Sequence, residues 1–355
     1  MGSPVFFVPV SASASLEELG AALGRLLEKS RVWDWVAAGM EVAIKLHFGE
    51  EGNAGYVRPE LLRVVAERLR GWGAASFLSD TNTLYQGRRT RCADHLRLAQ
   101  EHGFTLVNAG AEVRIPDDTK PENVLSVRLD GRYIKTAKIA NIYADAGAFV
   151  GVAHFKGHIM TGFGGALKNV GMGCAVREGK LAQHSDVSPV VVAKDCIACG
   201  DCVPACPVGA IRMLDKARVE GDKCIGCASC LAACRTGALQ VDWALGGDTI
   251  QEKMAEYAKA VLGFHEGKAA FLNFCVKITA KCDCLAKAGP RIAPDVGILA
   301  SRDPVALDQA SLDLTRQAAG SDVFRKAHSA RDGDKQLRHA EALGLGQREY
   351  EIMEV

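Results

Sequence analysis

Eight of the thirteen cysteines fall between Cys196 and Cys234, and no other feature restricts this chain so tightly. The stretch is an internal repeat. Asp195–Ile211 aligns without a gap on Lys223–Leu239, which sets Cys196, Cys199, Cys202 and Cys206 against Cys224, Cys227, Cys230 and Cys234. A disulfide scaffold would spread cysteines through a small secreted chain, whereas here they are packed into one part of a 355-residue chain. Thiols at that density are metal ligands first. A segment so short buries little apolar surface, so metal ligation must contribute much of its folding energy.

Each half carries the C-x2-C-x2-C-x3-C spacing and resembles a bacterial two-cluster ferredoxin, whose fourth cysteine ligates the other cluster. Carried over position by position, the resemblance implies one [4Fe-4S] cluster on Cys196, Cys199, Cys202 and Cys234. A second would sit on Cys224, Cys227, Cys230 and Cys206. Small residues such as Gly200, Ala205, Gly209, Ala233 and Gly237 would let the backbone lie close to sulfide. Pro207 follows Cys206 as in ferredoxins, but Arg235 stands after Cys234. A cation there is expected to favour the reduced, more negative cluster. Zinc at four-cysteine sites is the alternative, and the doubled spacing argues against it.

Around this segment the pattern is strand–helix alternation. Val5–Val8, Val42–Leu46, Ala75–Leu78, Thr105–Val107 and Ala148–Val152 read as buried strands, with helices over Leu16–Lys29, Pro59–Arg70 and Arg88–His102. Val124–Leu129 and Tyr133–Thr136 read as a hairpin added to the sheet. After the cysteines come a helix near Thr249–Leu262 and strands at Ala269–Ile278 and Val296–Leu299. A helix capped by Asp303 with Pro304 in its first turn then runs to about Gln317. The predicted fold is α/β, a mostly parallel sheet with helices on both faces, plus a small α+β ferredoxin-like domain. Residues 1–189 and 246–355 would form the two parts of the α/β domain, with the cluster domain at 190–245.

Lys45–Glu50, Asp80–Tyr85, His154–His158 running into Thr161–Asn169, Cys282-Asp283-Cys284 and Ser301–Val305 together resemble one family. It is the iron–sulfur centre proteins called domain of unknown function three-six-two, often fused to a ferredoxin. The resemblance supports the architecture and the clusters and supplies no reaction.

Outside the clusters, Gly162, Gly164 and Gly165 form neither a Walker loop nor a G-x-G-x-x-G turn. They are expected to bind an anionic cofactor through backbone amides, helped by Lys168 and Asn169, or else to be a tight strand-to-helix turn. His47, His154, His158 and His184 are candidate metal ligands or proton donors, and Asp80 and Asp283 candidate acid–base or ligand carboxylates. Cys282 and Cys284 share one face of an extended segment and either meet one metal or redox partner or are small buried residues. Cys92, Cys174 and Cys275 read as buried hydrophobes. Arg88, Arg89 and Arg91 read as a solvated helix face or, alternatively, a grip for an anionic ligand, and Gly49, Gly52 and Gly55 as a weak anion-loop signal.

His47, Asp80, His154 and Asp283 each follow a predicted strand, on the edge where a parallel sheet collects its loops. With His158 and Lys168 they are expected to line one cavity facing the cluster domain. The balance of 43 basic and 42 acidic residues gives no field for nucleic acid or an anionic membrane. No apolar run approaches the ~20 residues of a membrane span, and Val5–Val10 is too short for a signal-peptide core. The expectation is a cytoplasmic ferredoxin-linked oxidoreductase with a small-molecule substrate and a redox partner protein or small electron carrier. A further metal or anionic ligand would sit in the α/β domain. The alternative is a non-catalytic electron carrier or metal-handling protein.

Overall fold

The computed structural model describes residues 2–184, 188–241 and 249–355. Its frame is an eight-stranded sheet. From edge to edge the strands are Tyr350–Glu354, Ser3–Pro9, Gly297–Ser301, Ala269–Cys275, Ala148–His154, Glu41–Lys45, Ala75–Ser79 and Glu112–Arg114. Every pairing is parallel except the two made by Gly297–Ser301. The strands alternate faces with period two. Val5, Ala43, Phe77, Phe149, Phe271 and Leu299 enter one core, and Phe6, Val42, Ile44, Leu78, Val150 and Leu272 the other. Helices Ile250–Leu262 and Pro304–Ala319 cover the first face, and Leu16–Lys29 and Pro59–Gly71 the second. The molecule is therefore α/β, with helices on both faces of a mostly parallel sheet.

Local chemistry explains the boundaries. Ser15 and Glu18 form a reciprocal capping box that starts Leu16–Lys29. Asp303 accepts from the amides of Val305 and Ala306 at the head of Pro304–Ala319. Thr105–Val107 is not a strand. The Thr105 hydroxyl caps Leu106–Ala109 by accepting from the Asn108 amide, and left-handed Gly110 ends that turn. The true edge strand is Glu112–Arg114, too short and polar to carry a period. The Val124–Arg128 and Thr136–Ala140 hairpin forms its own two-stranded sheet rather than extending the main one.

The cysteine-rich lobe is built around its repeat. After the first run, Ile211–Met213 pairs with Ala217–Val219; after the second, Leu239–Gln240 pairs back to Val190–Val191. Ala198 and Gly200 in the first loop, and Gly226 and Ala228 in the second, all have positive φ at equivalent positions. Alanine in that region costs roughly 1–2 kcal/mol, so the rest of each loop must hold it there. The lobe docks through Ala228, Leu231 and Val241 onto Leu84 and Leu181 of the α/β part. The expected boundary at 245/246 lies outside the described residues.

Candidate functional site

Two small cavities in the lobe are lined by cysteines from both runs. One is walled by Cys196, Cys199, Cys202 and Cys234, the other by Cys206, Cys224, Cys227 and Cys230. Backbone amides point at the sulfurs: Ala210 N–H at Cys206 Sγ at 3.1 Å, and Leu239 N–H at Cys234 Sγ at 3.5 Å. Hydrogen bonds from Ala217 and Ala198 amides lower the Cys196 thiol. Burial, then Cys227 and Cys224, push the Cys230 thiol up to about 12. Arg235 does not act as an unbalanced cation, because its guanidinium pairs with Asp201 at 2.5 Å and 3.1 Å.

The α/β part holds a cavity of about 480 Å³ where the strand ends meet the loops. That size suits a small-molecule ligand. His47, Asp80, His158, Lys168, His184, Gly164, Gly165 and Asn169 line it; His154, Asp283 and Gly162 do not. The structure thus brings most of the expected residues together, in roles that differ from those expected.

Asp80 is a counterion. Its carboxylate pairs with Lys45 Nζ at 3.0 Å and Arg89 Nη1 at 3.4 Å and accepts from Thr81 N–H. Burial raises its pKa, but Lys45, His95 and Arg89 outweigh burial and hold it below the usual range. Asp283 accepts from His154 Nδ1 at 2.9 Å and Lys156 Nζ at 3.3 Å, which overcome burial and keep it ionised. His154 is not a metal ligand facing the cavity, because Nδ1 is spent on Asp283 and Nε2 on the Val276 carbonyl.

His47 and His158 each accept at Nδ1, from the Gly49 amide and from the Met160 and Thr161 amides respectively. For His47 that bond places the neutral ring's proton on Nε2, whereas His158 Nδ1 also lies 2.9 Å from the Thr161 hydroxyl, which itself donates to the Phe163 carbonyl. Burial first, and then cations including Lys168 and Lys156, hold both rings well below the ordinary histidine value. The buried His47 Nε2 has no protein partner and can donate to a ligand. His184 is likewise held down to about 3 by burial, then Lys168.

The two amides that follow the glycine loop are already taken. Asp308 already takes the Ala166 and Leu167 amides at 2.7 Å and 2.9 Å, and a Cβ on Gly165 would lie 2.2 Å from its Oδ1. Gly162 instead packs against Gly333. Asn169 is a clip rather than a cofactor ligand: it accepts from Lys45 Nζ and donates to the Lys45 and Val152 carbonyls across two strands. Gly55, in the earlier loop, packs against Asp283. Arg89 is not on a solvated helix face. It precedes Cys92–Glu101, is 2 % exposed, and pairs with Glu50 at 3.1 Å.

Cys282 and Cys284 line the cavity together. With His158 they bring three possible ligand atoms within 4.8 Å of one another, close enough to hold a metal ion. Lys168 Nζ lies 3.6 Å from Cys282 Sγ. A hydrogen bond from Cys284, aided by Lys168 and Lys156, overcomes burial and holds the Cys282 thiol well below the usual value.

One loop joins lobe and cavity. Gln86 Nε2 donates to the Leu231 carbonyl, next to Cys230. Its neighbour Tyr85 lines the cavity and donates through its hydroxyl to the Cys284 carbonyl at 3.0 Å. Leu84, beside it, also lines the cavity and packs on Leu231.

The model of a family described as a domain of unknown function, DUF362, matches residues 42–313. The chain belongs to that family. No curated protein matches it. Among solved structures it is similar to the lactate racemase apoprotein from Thermoanaerobacterium thermosaccharolyticum, with TM-score 0.40 and 13% identity over 84% of this chain and 54% of that one. It is also similar to a protein from Thermotoga maritima, with TM-score 0.44 and 11% identity over 86% of this chain and 60% of that one. This DUF362 chain therefore spans between half and two thirds of the length of those two structures. Among its described residues, no helix is long and apolar enough to cross a membrane.

Proposed function

We propose that this DUF362 protein is a ferredoxin-linked oxidoreductase. Its two cysteine centres would hold [4Fe-4S] clusters, one on Cys196, Cys199, Cys202 and Cys234 and one on Cys206, Cys224, Cys227 and Cys230. Bound clusters would supply transfer of single electrons. The reading is supported by the segregation of these cysteines into two mixed cavities, by equivalent left-handed residues in both loops, and by amides aimed at the sulfurs. A zinc ion about 2.3 Å from each sulfur would draw four thiolates to within roughly 4 Å of one another. Among the described residues the group whose possible ligand atoms all lie within 4.8 Å of one another is His158, Cys282 and Cys284, outside the lobe.

The observation that favours a catalyst over a simple carrier is the Leu231–Gln86–Tyr85–Cys284 connection into a cation-rich cavity. Lys45, Arg89, Lys156 and Lys168 line that cavity. A small anionic substrate suits it, with the His47 Nε2–H as a neutral donor. The residues of this chain bind and orient; the lobe exchanges electrons with a protein or small carrier outside. Anaerobic isolation with iron, acid-labile sulfide and other-metal counts tests the proposal. It expects about eight irons and eight sulfides per chain. Stoichiometric zinc in fresh native protein defeats it.

A further inference from the structure

A lysine and a backbone amide face Cys282, with the Asp283 carboxylate, itself paired with Lys156 at 3.3 Å, opposing them. Lys168 Nζ lies 3.6 Å from its sulfur, and the Cys284 amide points at it from 3.5 Å. The His158 ring completes the group, its Nδ1 lying 2.9 Å from the Thr161 hydroxyl, which itself donates to the Phe163 carbonyl. Lys156, behind, adds a second ammonium. These surroundings stabilise an anion at Cys282 and oppose a cation beside it. A cysteine sulfur beside a lysine ammonium is placed as nucleophilic cysteines are.

We propose that Cys282 and Cys284 are a redox-active thiolate–thiol pair, the station in the cavity at which two single electrons become one two-electron reduction of a small disulfide bearing acidic groups. The inference rests on the oxidoreductase reading and names its reacting atoms. The Cys282 thiolate attacks one substrate sulfur, a new S–S bond forms, the substrate S–S bond breaks, and one substrate thiolate leaves. Cys284 then loses its proton and attacks Cys282 Sγ, releasing the second thiolate and leaving a Cys282–Cys284 disulfide. Two electrons from an external one-electron donor and one proton restore the thiolate–thiol pair. The net change is one disulfide and two electrons giving two thiolates. A disulfide closed across one residue is strained, which makes it reducible and transient, as suits a catalytic bond rather than a structural one. The cavity's lysines and its volume of about 480 Å³ set the substrate class, and the Tyr85 hydroxyl bonded to the Cys284 carbonyl connects the pair to the lobe.

The test uses the full chain, held anaerobically and exposed to glutathione disulfide, followed by acid quenching and non-reducing peptide mapping. In the wild type the peptide holding Cys282 and Cys284 should lose two hydrogens and retain no glutathione. Cys284→Ser should trap glutathione on Cys282, faster by about tenfold or more than on Cys92, Cys174 or Cys275. Lys168→Met should slow trapping by about tenfold and Lys168→Arg should largely restore it. Iron counted on the same samples separates the two ideas, because trapping does not depend on clusters. Glutathione on other cysteines first, no reaction at the pair, or a metal that must be stripped from it before it reacts would overturn the proposal. The wild-type arm decides the matter even where a variant does not fold.

Discussion

The cysteine lobe and the α/β cavity are both sites made of side chains that bind or react, yet they are encoded in opposite ways. In the lobe, the residues of each centre come from two loops less than forty positions apart, and a fixed spacing carries them. In the cavity, Lys45, Asp80, Lys168 and Cys282 arrive from four distant segments and meet only because parallel strands end on one edge. A site written as spacing depends for its fold on what it binds. A site written as topology has its fold secured by a two-sided core before any ligand arrives.

The sharpest way to break this contrast is to remove metal. Anaerobic chelation should abolish amide-exchange protection across residues 190–241 and expose them to protease, while the sheet strands stay protected. Equal loss in both regions would mean the lobe does not fold on its ligands. A second experiment probes the crossing of the runs. Cys206→Ala and Cys234→Ala should each lower iron by about half, Cys206→Ala sparing the centre of Cys196, Cys199 and Cys202, and Cys234→Ala sparing that of Cys224, Cys227 and Cys230.

How much of this was legible follows from the same contrast. The cysteine sets were readable because ligand spacing survives in one dimension. The strands ending in His47, Asp80 and His154 were readable from apolar runs, and hence so was the existence of one cavity. Roles were not. Asp308 lies over a hundred residues from the amides it occupies, so nothing near Gly165 announces that they are taken. Arg89 sits among other arginines that suggest a wet helix, and only the fold sets it between Glu50 and Asp80. Lys45 and Lys156 went unremarked as site residues; each alternates with apolar neighbours near a strand end, the one signal available. The Thr105–Val107 error is local, since a β-branched run outweighed a threonine cap.

Smaller effects sharpen the topological half. Asp80→Ala leaves Lys45 and Arg89 buried without their shared carboxylate, and chemical denaturation should show a loss of about 3–5 kcal/mol. The double replacement of Lys45 and Asp80 by apolar residues should cost less than the sum of the singles. Asn169→Ala removes a clip between two strands and should cost about 1–3 kcal/mol, with iron content unchanged. A loss of iron in Asn169→Ala would show that the two regions do not fold separately.

If the two runs interleave to build two iron–sulfur centres, one of them lies against the wall of the cavity. Anomalous diffraction at the iron edge from anaerobically grown crystals measures it directly. The account predicts two iron clusters, one amid Cys196, Cys199, Cys202 and Cys234, the other amid Cys206, Cys224, Cys227 and Cys230, the latter beside Leu231 and Gln86. Single-ion peaks at the zinc edge, or a centre bound by all four cysteines of one run, would contradict it.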